Sequence, residues 1–239
     1  MKRIHLFALL TALFCGSVCQ NSYAHALWIE SSQAATKNGA QTVKVFYGEY
    51  EHGTKDLVKD WYADLKELEL WIQQPDGQSI RLETRADTDH LAASFTPEQD
   101  GLYLIHTTHA AGELGGQTKY IFSASLPIVL GESDLMITNP GEIDLLAFVA
   151  PREHQLDQAV DIFVQDKGSM PEDVAVTVIS AEGWAKTFKT DATGKVSLQP
   201  LWKGTYVVET SKYTPQEGVW KDKAHTHVWQ SATTVFTVN

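Results

Sequence analysis

The chain carries nine histidines and thirty acidic residues against two cysteines. Nitrogen and carboxylate oxygen are therefore its main metal-ligating donors, and imidazole suits copper, nickel, cobalt and zinc. Eight of the histidines lie beyond residue 24: His25, His52, His90, His106, His109, His154, His225 and His227. His25 offers the sharpest chemistry. If processing leaves it first, its α-amine and Nδ1 can chelate one ion in a six-membered ring. One further imidazole then completes a T-shaped nitrogen site, and a metal readily displaces the proton of an amine whose pKa is near about 8. His225-Thr226-His227 is a second candidate, because residues two apart on a strand project from one face. His106 and His109, three apart at a strand end, face opposite ways on a regular strand. His109 is nearer the glycines Gly112, Gly115 and Gly116 and is preferred. His52 lies in the loop Gly48-Glu49-Tyr50-Glu51-His52-Gly53, where Glu49 adds a carboxylate and His52 reads as solvated. His90 and His154 stand among charges and read as surface residues. The candidate metal set is thus His25, His109, His227, His225 and Glu49.

Other chemistries find little footing. The chain has no His-Glu-x-x-His metalloprotease motif, no Gly-x-Ser-x-Gly elbow and no Gly-x-x-x-x-Gly-Lys-Ser/Thr phosphate loop. Its net charge of −11 and lack of a basic patch argue against nucleic acid as a partner. An acidic surface instead raises the local concentration of cations. Residues 1–24 read as a secretory signal: Lys2 and Arg3, an apolar run from Ile4 to Phe14, then Ser22-Tyr23-Ala24 as a small-x-small cleavage site. A second cut is readable before Leu27. No apolar run reaches the roughly 20 residues that a spanning helix needs. The mature chain is expected in the periplasm, with no membrane span. Removal of the signal takes away Cys15 and Cys19, so no disulfide, thiolate site or cysteine nucleophile remains. A lipid anchor on either cysteine would want a small residue before it, where Phe14 and Val18 stand.

Positioning these residues falls to β-structure. Fourteen segments, from Ala26–Glu30 to His227–Val238, alternate apolar and polar residues. Turn signals such as Pro75-Asp76-Gly77, Asn139-Pro140-Gly141 and Thr193-Gly194 separate them. Many short strands at regular spacing predict sandwiches. From Thr54 to Leu68 the apolar residues Leu57, Val58, Trp61, Tyr62, Leu65 and Leu68 fall at helical spacing, which predicts one short helical insertion with Thr54 as N-cap. A weak repeat closes on Gly101-Leu102-Tyr103 and again on Gly204-Thr205-Tyr206. The expectation is an all-β chain of two immunoglobulin-like β-sandwich domains, residues 25–132 and 133–239. Thr187 through Tyr206 is similar to the carboxypeptidase regulatory-like and prealbumin-like modules, which are usually non-catalytic.

Several stretches together resemble one bacterial family of unknown function, whose exported members are often described as periplasmic components of nickel or cobalt uptake. They are His25-Ala26-Leu27-Trp28-Ile29-Glu30, Val45-Phe46-Tyr47-Gly48-Glu49-Tyr50, Asp60-Trp61-Tyr62-Ala63-Asp64, Phe95 to Gly101, and His109 followed by Leu114 to Tyr120. The resemblance implies a non-catalytic protein that captures nickel, cobalt or copper and passes it to an inner-membrane transporter or an outer-membrane receptor. His25 and His109 match first, and Glu49 matches as ligand or support. His225 and His227 fall where the family pattern is loose. Two other functions remain open from the residues: an interaction or glycan-binding module with incidental histidines, and a copper redox enzyme built on an N-terminal histidine brace.

Overall fold

Alternating side chains build sixteen strands in the computed structural model, which describes residues 25–31, 35–131, 137, 139–141, 143–150 and 152–239. The first half holds β1 (Ala26–Ser31), β2 (Gln41–Glu49), β3 (Thr54–Lys55), β4 (Leu70–Gln73), β5 (Ser79–Leu82), β6 (Arg85–Ala86), β7 (Leu91–Phe95), β8 (Gly101–Gly115) and β9 (Thr118–Leu130). The second holds β10 (Leu145–Val149), β11 (Val160–Asp166), β12 (Ala175–Ser180), β13 (Ala185–Lys189), β14 (Lys195–Leu198), β15 (Gly204–Trp220) and β16 (Lys223–Val238). Each segment expected from alternation forms a strand. The signal-peptide reading of residues 1–24 lies outside the described residues.

Three sheets result. One runs β1-β2-β7-β6 with β3 on β2, and a second runs β10-β11-β14. The third has eight strands in the order β13-β12-β15-β16-β9-β8-β4-β5. Each half thus has the strand arrangement of an immunoglobulin-type sandwich, one sheet of early strands facing a sheet that ends on a long hairpin. The two hairpin sheets are one continuous sheet. β9 and β16 pair in parallel from His227↔Thr118 to Thr234↔Ser125.

Parallel pairing of equivalent strands places the two small sheets on opposite faces. The period-two rule then makes β16 serve both cores. Val235 packs with Leu27, Ile29, Val45 and Ile105 in the first core, while Ala232 and Phe236 pack with Val160, Ile162 and Tyr206 in the second. Leu102, Leu104, Ile143, Leu146 and Phe148 form a third cluster that links the halves. The repeat seen in the sequence has a physical basis. The Tyr103 hydroxyl bonds the backbone of Gln99, and that of Tyr206 bonds the backbone of Trp202, each through both N–H and C=O at 2.9 to 3.1 Å. These are the two tyrosine corners of the paired sandwiches.

The helical insertion is corrected. Residues 54–68 contain β3 and two single 3-10 turns, Val58–Asp60 and Leu65–Glu67, instead of one helix. Ala63 takes a positive φ of 52° between the turns, which an α-helix cannot contain. The apolar residues that looked like a helical stripe are separate anchors. Val58, Trp61, Leu65 and Leu68 each insert into the first core. Among the described residues no helix is long and apolar enough to cross a membrane.

Candidate metal-binding site

His25 is positioned by β1, which pairs with β2 so that Ala26 lies opposite Gly48. The pairing brings the end of β2, with Glu49, beside His25. Gly48 is required there: a Cβ would lie 2.3 Å from the Thr54 carbonyl oxygen, where β3 closes on β2. The tight turn between β2 and β3 carries His52, and the chain after β3 brings in Asp56. Pairwise contacts string four polar side chains together. His25 Nδ1 lies 3.5 Å from Glu49 Oε1, and His25 Nε2 lies 3.2 Å from Asp56 Oδ2. His52 Nδ1 approaches the other Glu49 oxygen at 3.6 Å.

The floor of this mouth is aromatic. The imidazole of His25 lies 5.2 Å from the Tyr47 ring, and Tyr47 packs on Trp61 and Phe122. Burial, and then the charge of Asp56, push the Tyr47 phenol well above its ordinary range, so it stays a neutral hydroxyl. Tyr50 is pushed up to about 12 by burial and then by Glu30. The donor chemistry, two imidazoles and two carboxylates without thiolate, fits an exchangeable nitrogen–oxygen metal site. Among the described residues, however, no three His, Cys, Asp or Glu side chains already surround one point as a metal cage. Both His25 nitrogens face carboxylates, so a site here needs the ring to keep one nitrogen free and to gain a further donor.

The other sequence candidates go elsewhere. His109 stands opposite Phe122 across β8 and β9. Its Nε2 donates to Asp64 Oδ1 at 2.9 Å. The same carboxylate accepts the Gly112 N–H at 2.6 Å and faces Lys221 Nζ at 3.0 Å. Gly112 permits this approach, since a Cβ would stand 2.4 Å from Asp64 Oδ2. Burial alone would raise the Asp64 pKa, but the bonds from His109, Gly112 and Lys221 outweigh it and hold the carboxyl far below its usual range. His109 is thus part of a clasp that fixes the β15–β16 tip to the first half. Trp220 reinforces that clasp by donating to the Ala111 carbonyl at 2.7 Å.

His225 and His227 share a face of β16, yet they have different surroundings. His225 is buried opposite Gly218, and its Nδ1 has no hydrogen-bond partner among the described residues. His227 stacks on Tyr213 at 4.7 Å and its Nδ1 lies 2.9 Å from the Thr226 hydroxyl. None of the described contacts of His109, His225 or His227 reaches His25. Two partners carry no mark of that role in the sequence: Asp56, which only the β2–β3 closure brings to His25, and Asp64, which lies in the stretch whose spacing predicts a helix. His90 and His154, expected at the surface, are both buried. A cavity of about 740 Å³ lies elsewhere, lined by Glu30, Leu126, Arg152, His154 and Phe236, and none of the five candidate ligands borders it.

No family model matches the chain, and no curated protein matches it. Solved structures to which the chain is similar include the following three, each at a low score. A tetra-tandem repeat from the extending region of a large adhesion protein has a TM-score of 0.30 and 13% identity, over 90% of this chain and 50% of that one. A DUF4785 family protein from Legionella pneumophila subsp. pneumophila has a TM-score of 0.29 and 12% identity, over 85% of this chain and 54% of that one. The Ig1–Ig3 ectodomain of mouse nectin-like molecule 4 has a TM-score of 0.22 and 11% identity, over 88% of this chain and 62% of that one. The chain therefore spans 50 to 62% of the length of these structures. Likenesses at this level carry nothing about the site, and the fold class stands on the strand topology itself.

Proposed function

We propose that this chain is an exported, non-catalytic protein that captures a divalent transition metal, nickel, cobalt or copper, and hands it to a membrane transporter in the periplasm. The observation that carries the reading is the convergence of His25 and His52 on the two oxygens of Glu49, at 3.5 and 3.6 Å. In a chain cleaved before His25, the α-amine joins Nδ1 of the same residue, and Glu49 and His52 complete an open donor set. Such a set of nitrogen and oxygen donors exchanges its ion, which delivery requires and a thiolate cage would resist. The resemblance to exported nickel and cobalt proteins supports the same assignment. His109, His225 and His227 then serve the fold around the site instead of the ion.

The test is calorimetric titration of protein whose first residue is confirmed as His25 by mass spectrometry. At least one of nickel, cobalt, copper and zinc should bind with a Kd below about 10 μM. His25→Ala should abolish that binding and His109→Ala should leave it. Absence of binding at that level for all four ions would overturn the reading. A second reading, recognition of a glycan or a partner, draws on the Trp184–Trp202 ring pair at 5.9 Å beside the exposed Leu201. Function that survives alanine at His25, His109 and His227 together would favour it.

A further inference from the structure

The long β15–β16 hairpin carries a row of aromatic side chains that the candidate metal site does not use. Tyr213 pairs with Trp229, and Trp229 pairs with Tyr120, across β15, β16 and β9. Partners in register project to the same face of a sheet. Tyr120 meets Trp229 at 5.5 Å, and Tyr62 stands edge-on to Tyr120 at 5.8 Å. Two residues before Trp229 on β16, His227 stacks on Tyr213 with only 12° between the ring planes. The Thr118 and Tyr213 hydroxyls lie 3.3 Å apart. The row starts at the first core, where Trp229 packs on buried Phe122, and runs outward until Tyr213 is 57% exposed. Gly115 makes room for it, since a Cβ there would lie 2.1 Å from the Tyr120 ring.

The chain carries thirty acidic residues and a net charge of −11, yet this row brings no carboxylate, ammonium or guanidinium. The lysines between its members, Lys212 and Lys119, fall on the opposite face by alternation, and Lys212 pairs with Asp166 of the second half. The Asp64 carboxylate, two residues beyond Tyr62, is already taken up by His109, Gly112 and Lys221. What remains is aromatic faces with a rim of hydroxyls and an imidazole. Ring faces are weakly negative and attract polarised C–H groups, while hydroxyl and imidazole both donate and accept hydrogen bonds. A sugar ring with equatorial hydroxyls matches both, with C–H on its faces and O–H around its edge. An anionic polymer would find no cation in the row and would meet an acidic protein. Three neighbouring strands about 4.8 Å apart set the outer rings roughly 10 Å from each other, the length of two linked hexoses. We propose that this face of the β15–β16 hairpin binds a neutral oligosaccharide of equatorially substituted hexoses, stacked on Tyr213, Trp229 and Tyr120. The site depends neither on metal capture nor on the Trp184–Trp202 pair.

The experiment uses the mature chain in EDTA, so that its outcome is separate from metal binding. Calorimetric titration with cellohexaose or chitohexaose, two neutral hexamers of this class, should give a Kd between about 10 μM and 1 mM for at least one. Tyr213→Ala should weaken that binding at least about tenfold, and Tyr213→Trp, which keeps a ring, should hold it within about threefold. Tyr213 lies outside the cores, so the alanine variant should fold, and circular dichroism checks that it does. Cellohexaose carboxylated at C6 should bind at least about tenfold more weakly than its neutral parent. Trp202→Ala should change nothing. No binding of either neutral hexamer at about 5 mM overturns the proposal. So does binding that Tyr213→Ala leaves intact, or that Trp202→Ala removes. A dimer in sedimentation velocity that Tyr213→Ala dissociates would give the face to a second copy of the chain and overturn it as well.

Discussion

His106 shows how a single side chain sets a pH limit. It is 2% exposed on β8, and neither ring nitrogen has a hydrogen-bond partner among the described residues. Burial pulls its pKa down from 6.5 to about 4. The unfolded chain therefore binds the proton more readily between those values. Stability is fully present above about pH 6.5 and is lost as pH falls toward 4, by roughly 3 kcal/mol in all. His106→Leu should remove that acid dependence, as read from urea unfolding at pH 7 and 4.5. An unchanged difference between the two pH values would exclude His106 as its source. Glu209 acts in the opposite direction. Burial pushes its pKa up from 4.5 to about 7. Its contribution is present below about pH 4.5 and is lost as pH rises through 7. Glu209→Gln should therefore raise the midpoint of thermal unfolding more at pH 8 than at pH 5, and an equal change at both would refute the assignment. The site residues were unevenly legible at this scale. His25 and Glu49 stood out by type and place, whereas Asp56 is one of thirty acids until the β2–β3 closure selects it.

At the scale of elements, the two tyrosine corners tie the long hairpin strands to the turns before them. Each hydroxyl meets one backbone N–H and one carbonyl, so Tyr103→Phe and Tyr206→Phe should each cost about 1 kcal/mol in denaturant unfolding. A negligible cost at either position would show that the bonds there are replaced by water. Residues 54–68 show where periodicity misleads. Val58, Trp61 and Leu65 keep helical spacing because each turn of chain must drop one anchor into the first core, but Asp64 is drawn into the His109–Lys221 clasp and Ala63 takes a left-handed φ. Tertiary contacts overrode a weak local preference. Alternation marks a strand only to Thr210, yet β15 runs on to Trp220 through Pro215 and Gly218. β15 continues through them by shifting register there, and the hairpin reaches the first half.

At the scale of the whole molecule, the shared eight-stranded sheet makes the halves interdependent. Val207 and Val235 from the second half lie in the first core, and the cluster of Leu104 with Leu146 and Phe148 bridges the two. Unfolding one sandwich would strip apolar area from the other. Differential scanning calorimetry should therefore show one transition, with calorimetric and van't Hoff enthalpies in agreement. Two resolved transitions would mean that the seam of β9 and β16 is energetically weak. The same seam accounts for the reach of the β15–β16 tip across to Asp64 and His109.

The amino-acid sequence by itself determined the all-β class, the position of nearly every strand and the doubled Gly-x-Tyr signature. Those features follow from short-range rules: alternation in the pleat, turn residues, and a tyrosine that bonds four residues back. Only the tertiary structure decided that β9 joins β16 in parallel, that the insertion is a pair of 3-10 turns, and that His25 meets Glu49, His52 and Asp56 while His109 is committed to Asp64. Alternation marks which face of a strand is apolar but not which other strand will pair with it. A carboxylate carries no local mark of the imidazole it will meet, because packing over long sequence separations chooses that partner.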